Sequence, residues 1–145
     1  MSTAQDVFVR LLKEHGYSLT KARMAVFLAL VGHEPLSMRE VVLQARGINR
    51  ASVYRAIDLF EKLGIVQRLN TGWKYKIELS DQFADHHHHL TCKQCGRTVA
   101  LNEQQLEQFI ENLAVAHGYL PLGHQIEIQG MCVACQKLKT TKAIS

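Results

Sequence analysis

Apolar residues recur with helical spacing as far as Leu63 and switch to alternation soon afterwards. Residues 3–15 carry Val7, Leu11 and Leu12 on one side and stop at Gly16, which predicts a first helix. Thr20 is placed to cap a second, in which Met24, Phe27, Leu28 and Val31 follow the i, i+3, i+4, i+7 rule up to Gly32. Ser37-Met38-Arg39-Glu40 reads as a capping box opening a third helix that closes near Gly47. Asn49 caps a fourth, whose Val53, Ala56, Ile57, Phe60 and Leu63 form one stripe before Gly64. Residues 65–70 and 73–79 then alternate with period two around Thr71-Gly72, the pattern of a β-hairpin.

The polar stretch 80–85 separates a second series of elements. The histidine run leading into Leu90-Thr91 and the segment Arg97 to Leu101 read as strands. A helix opens in Asn102 to Gln105 and runs to Gly118, with Leu106, Phe109, Ile110 and Leu113 apolar and Glu103, Glu107 and Glu111 on another side. Gly123 to Gly130 alternates again, with Ile126 and Ile128 on one face, and the tail from Lys137 is expected to fray. The expected fold is α+β: a winged helix-turn-helix domain over residues 1–80, a hinge over 81–85, and a small domain with a three-stranded sheet over 86–145.

The short turn between the third and fourth helices is that of a helix-turn-helix. Because the apolar stripe of the fourth helix faces inward, Arg50, Ser52, Tyr54 and Arg55 are left near its exposed N-terminal end, where a recognition helix presents side chains to the major groove. An ordinary amphipathic helix would show the same solvated face. The hairpin that follows favours the winged helix and places Arg68, Lys74 and Lys76 on or near the wing, suited to phosphate contacts. Charge agrees with this division: residues 1–80 hold 12 Lys and Arg against 7 Asp and Glu, a net +5, while residues 81–145 hold 5 against 6, a net −1. The chain shows no signal peptide and no apolar run long enough to span a bilayer, so a cytoplasmic protein with no membrane partner is expected.

Candidate chemistry concentrates in the near-neutral half. The four cysteines form two Cys-x-x-Cys pairs, Cys92/Cys95 and Cys132/Cys135, the spacing of a structural tetrathiolate zinc site. A redox pair normally opens a helix, whereas Cys92 follows a strand and Cys95 is trailed by Gly96, as in a zinc knuckle. Reduced thiols in the cytoplasm also favour metal over disulfides. Four thiolates complete a tetrahedron, so the run His86-His87-His88-His89 needs its own account. In an extended chain His86 and His88 point to one face, His87 and His89 to the other, and one strand can then serve two metal sites. A solvated polar loop is the bland alternative.

Ala51-Ser52-Val53-Tyr54-Arg55, the run His86 to Gly96 with its Cys-x-x-Cys, His117-Gly118, and the stretch His124 to Cys135 together resemble the ferric uptake regulator family over essentially the whole chain, and look most like its zinc uptake regulators. The resemblance implies a dimeric, metal-dependent transcriptional repressor rather than an enzyme, acting on an AT-rich palindromic operator in double-stranded DNA. It implies three metal sites: structural zinc on Cys92, Cys95, Cys132 and Cys135; a dimerisation-domain site on His86, His88, Glu107 and His124; and a regulatory hinge site on Glu78, His87 and His89, with His33 as candidate fourth ligand. His88 stands where iron-type members have Asp, and Ala100 replaces a carboxylate that iron and peroxide sensors often supply. Histidine in place of carboxylate favours regulatory Zn(II) over Fe(II) or Mn(II). A same-fold sensor of iron, manganese or peroxide, and a constitutive DNA-binding protein with purely structural metals, remain as rivals.

Overall fold

Thr3 and Asp6 cap each other reciprocally, as do Ser37 and Glu40, while Thr20 and Asn49 each accept a backbone N–H three residues on. These four caps satisfy otherwise orphaned donors and open the helices α1 (Ala4–Glu14), α2 (Lys21–Leu30), α3 (Met38–Gln44) and α4 (Arg50–Lys62). The computed structural model describes residues 3–70 and 74–142 of the chain and divides into two units, one ending at Asp85 and one beginning at His86. Gly64, at φ 68°, turns the chain out of α4 into an antiparallel hairpin of β1 (Val66–Asn70) and β2 (Tyr75–Leu79). Thr71-Gly72 and Trp73, expected as the turn and the start of the second strand, lie outside the described residues.

The core of this first unit is aromatic at its centre. Phe8 stacks on Phe27 with ring centroids 4.1 Å apart, and Phe60 meets Phe8 edge-on at 5.2 Å. Val41, Val53, Ile57, Ile65 and Ile77 close around them, and a backbone bridge from Leu36 to Ile77 ties the α2–α3 link to the hairpin. The stripe expected for α2 is corrected. Leu28 and Val31 are exposed, whereas Val26, Phe27, Ala29 and Leu30 are buried. An almost wholly apolar helix carries little periodic contrast, so tertiary packing chooses its inner face. In α1, likewise, Phe8 rather than Val7 is fully buried. The stretch 81–85 is anchored to this unit through Phe83, which packs edge-on against Phe27 at 5.3 Å.

The second unit is a three-stranded sheet of order β4-β3-β5, built from β3 (His88–Cys92), β4 (Thr98–Leu101) and β5 (Glu127–Gly130). β4 returns antiparallel through the Cys92–Gly96 knuckle, in which the Gly96 N–H donates to the Cys92 carbonyl at 2.8 Å. β5 runs parallel to β3, which requires a crossover, and α5 (Gln104–Ala116) lies in that connection. The cap of α5 is Glu103, without a side-chain hydrogen bond. The tail expected to fray is instead a helix, α6 (Val133–Lys142), started by Gln136 Nε2 donating to the Met131 carbonyl at 2.6 Å. On the apolar side of α5, Phe109 is 64% and Leu113 49% exposed.

Candidate metal centres and nucleic-acid surface

The knuckle after β3 and the first turn of α6 bring all four cysteines together, although 37 residues separate Cys95 from Cys132. Their sulfurs lie within 4.8 Å of one another, and Cys95 Sγ is 3.8 Å from Cys132 Sγ. Sulfurs 2.3 Å from a tetrahedral zinc would sit about 3.8 Å apart, so the spacing fits that ion. All four cysteines are free thiols. Backbone N–H groups of Cys132 and Cys95 pull the Cys92 thiol down to about 6, whereas the Cys132 thiol and burial push Cys135 up to about 12. Four thiolates this close require a cation to balance them.

The second cluster is built from three separate stretches. His86 and His88 come from the entry to β3, Glu107 from α5, and His124 from the approach to β5, with their ligand atoms again within 4.8 Å. His124 Nε2 lies 3.2 Å from His86 Nε2 and 3.3 Å from His88 Nε2. Glu107 reaches in with Oε1 at 2.6 Å from His88 Nε2 and Oε2 at 2.9 Å from His124 Nε2. Nitrogens about 2.0–2.1 Å from one tetrahedral ion would be about 3.3 Å apart, close to both separations. His88 is completely enclosed, and its Nδ1 has no partner. Three imidazoles and a carboxylate around one point form a donor set for zinc or another borderline divalent ion.

Strand alternation sends His87 and His89 the other way, with ring centroids 4.7 Å apart. His89 is buried. Within the first unit, Glu78 is buried on β2 and accepts a hydrogen bond from Gln67 Nε2 at 2.6 Å. His33 is exposed and joins no cluster of three or more metal-binding side chains among the described residues, so the fourth ligand expected from it is not brought to a site. Spacing alone could not reveal Glu127. It faces His89 across β5 and β3, and its buried Oε1 has no hydrogen-bond partner.

The exposed end of α4 presents the residues expected there. Arg50 lies over the Tyr54 ring and donates to Tyr54 Oη at 3.2 Å, while Arg55 donates to Ser52 Oγ at 3.3 Å. Beside them are two depressions of about 260 and 170 Å³, lined respectively by Arg39, Arg50 and Tyr54 and by Arg23, Ser52 and Arg55. Sequence periodicity missed Arg23 and Arg39 because they lie on α2 and α3, outside the presumed reading helix. Lys76 acts on the Glu40 carboxyl, helping to lower its pKa behind the Ser37 hydrogen bonds. Arg68, expected on or near the wing, bonds Glu61 at 2.7 Å and lies over Tyr75, which joins the hairpin to α4.

A winged helix joined to a small sheet domain bearing a tetrathiolate cluster and a His₃Glu cluster defines a metal-dependent DNA-binding regulator. The pattern of the ferric uptake regulator family matches residues 14–129, and the chain belongs to that family, whose members are transcription regulators. A ferric uptake regulation protein of Neisseria meningitidis is 32% identical over 133 residues, covering 86% of this chain and 90% of that one. The solved ferric uptake regulator of Helicobacter pylori superposes with a TM-score of 0.77 at 22% identity, covering 92% of this chain and 94% of its own. A Campylobacter jejuni peroxide stress regulator has a TM-score of 0.67 at 23% identity, covering 88% and 98%. At these identities the two structures establish the fold.

Proposed function

We propose that the chain is a zinc-responsive repressor of zinc uptake genes, acting in the cytoplasm as a homodimer on an AT-rich palindromic operator. In this reading Cys92, Cys95, Cys132 and Cys135 hold structural zinc, and His86, His88, Glu107 and His124 hold a second ion in the sheet domain. Glu78, His87 and His89 form the regulatory hinge site. Arg50, Ser52, Tyr54 and Arg55 read or brace the major groove, with Arg68, Lys74 and Lys76 on or near the wing to meet phosphate. The convergence of three imidazoles with a carboxylate carries the reading, because it is a borderline donor set where iron-type chemistry favours more oxygen. The solved Helicobacter pylori relative is described as having three functional metal binding sites, a number in keeping with the three proposed here.

A metal held at the proposed hinge site would link Glu78 to His87 and His89. Glu78 lies on β2 of the wing and His87 and His89 stand at the start of the sheet domain, so ligation by all three would restrict how the winged helices are presented. A dimer reads a palindrome only when its recognition helices match the half-site spacing, so metal selects the DNA-competent population and DNA tightens metal in return. The iron reading draws on the Neisseria relative, which is named for ferric uptake. Fluorescence anisotropy with a palindromic duplex under chelator, then under buffered Zn(II), Mn(II) and Fe(II), separates the readings. Tight binding restored by zinc alone supports the proposal. Restoration by iron or manganese assigns another metal, and metal-independent binding overturns regulation altogether.

A further inference from the structure

The proposed hinge ligands Glu78, His87 and His89 leave a tetrahedral site one donor short. His33 is exposed and joins no ligand cluster among the described residues. Ala100, opposite His89 on β4, has no donor atom in its side chain. On the other flank of His89, β5 places Glu127 in direct register. Residues in register on neighbouring strands project from the same face, so Ala100, His89 and Glu127 form one row across the sheet. Glu127 Oε1 is closed off from solvent without a hydrogen-bond partner. A buried carboxylate oxygen in that state is destabilising until a donor or a cation meets it. Glu107 on α5 does not carry this burden, because both of its oxygens meet histidine nitrogens, at 2.6 Å from His88 and 2.9 Å from His124.

We propose that Glu127 is the carboxylate ligand that completes the His87–His89 metal site, supplying from β5 what Ala100 cannot supply from β4. The inference rests on the hinge reading given above. Glu127 stands outside the converged clusters, but its two methylenes give it reach across one strand spacing of about 4.8 Å. With Glu127 the site would gain a carboxylate beside its two imidazoles. That composition is richer in oxygen than the His₃Glu cluster, so the two histidine sites would differ in metal preference.

The test uses the full chain with its cysteine-bound zinc in place, titrated with Zn(II) against a chromophoric chelator and with Co(II) by visible absorption. Wild type is compared with Glu127→Gln, His89→Ala, and Glu127→Gln combined with Ala100→Glu. Glu127→Gln is expected to weaken one labile site at least tenfold and to alter its Co(II) spectrum, while the cysteine-bound zinc is kept. Ala100→Glu, placing a carboxylate on the opposite flank of His89, is expected to restore much of that affinity. If His89→Ala abolishes a labile site and Glu127→Gln binds like wild type, Glu127 is not a ligand although the hinge reading survives. If His89→Ala also changes nothing, the hinge reading fails and this inference with it. Weakening that Ala100→Glu leaves unrescued, or that comes with loss of the cysteine-bound zinc, marks Glu127 as structural and overturns the proposal.

Discussion

His88 Nε2 lies 2.6 Å from Glu107 Oε1, while the opposite ring nitrogen of His88 is buried with no partner. The pair joins β3 to α5 and leaves the imidazole held from one side only. A cation held at that point would also be within reach of His86 and His124, whose nitrogens already face it.

Glu107→Ala is therefore expected to lower labile metal stoichiometry by one ion per chain, or to weaken that ion by tenfold or more. Glu107→Gln should fall between, since it keeps the shape and loses the charge. Equilibrium dialysis with metal analysis reads both. Unchanged stoichiometry and affinity in the alanine variant would remove Glu107 from the site.

The cysteine cluster is expected to be a condition of folding for the second unit. A structural zinc of this kind contributes about 10–16 kcal/mol of apparent free energy, and the sheet here has only three short strands. Cys95→Ser, or prolonged exposure to a strong chelator, should release one zinc and abolish the cooperative unfolding of residues 86–145. Near-ultraviolet circular dichroism and hydrogen exchange check it. Retained protection in β3 and β5 after zinc loss would contradict the assignment.

Ser37 and Glu40 make a capping box at α3, with Glu40 Oε2 at 2.7 Å from the Ser37 N–H. Ser37→Ala should cost about 0.5–2 kcal/mol in urea unfolding. The Ser37 hydrogen bonds lower the Glu40 pKa below its ordinary value of 4.5. Its contribution is thus fully present above that value and is lost as pH falls through the lowered one. Glu40→Gln should flatten this part of the acid limb, and an unchanged limb would show that the box contributes nothing to it.

Truncation of Phe60, fully buried against Phe8, should be the costlier kind of change. Phe60→Ala is expected to destabilise by about 3–5 kcal/mol, enough to unfold much of the first unit at physiological temperature. Thermal unfolding followed by circular dichroism measures it, and a loss below 1 kcal/mol would mean that the cavity collapses freely.

On the DNA surface, Arg55→Ala should weaken operator binding and reduce the salt slope by about 1 if Arg55 meets phosphate. If it reads a base, the loss should instead fall on particular operator positions, by about 1–3 kcal/mol. Titrations at several salt concentrations against single-base operator variants separate the two. No change in either would move recognition away from this end of α4.

Capping residues, glycine stops and the period-two runs made most elements legible in the sequence, because these signals act within a few residues. The two Cys-x-x-Cys pairs were equally legible: metal chemistry demands those donors at that spacing. Strand alternation also divided the histidine run into two faces, since that depends only on backbone pleat. The sequence could not choose the inner face of α2, whose side chains are apolar nearly all round, nor show that Phe83 anchors the stretch before His86. It gave no sign that Arg68 would be spent on Glu61. Nor could it place Glu107 and His124 beside His88 except by family likeness, or Glu127 beside His89 at all. Those neighbours come from the parallel pairing of β5 with β3 after a long crossover, and register between distant strands is set by packing of the whole sheet rather than by any local pattern.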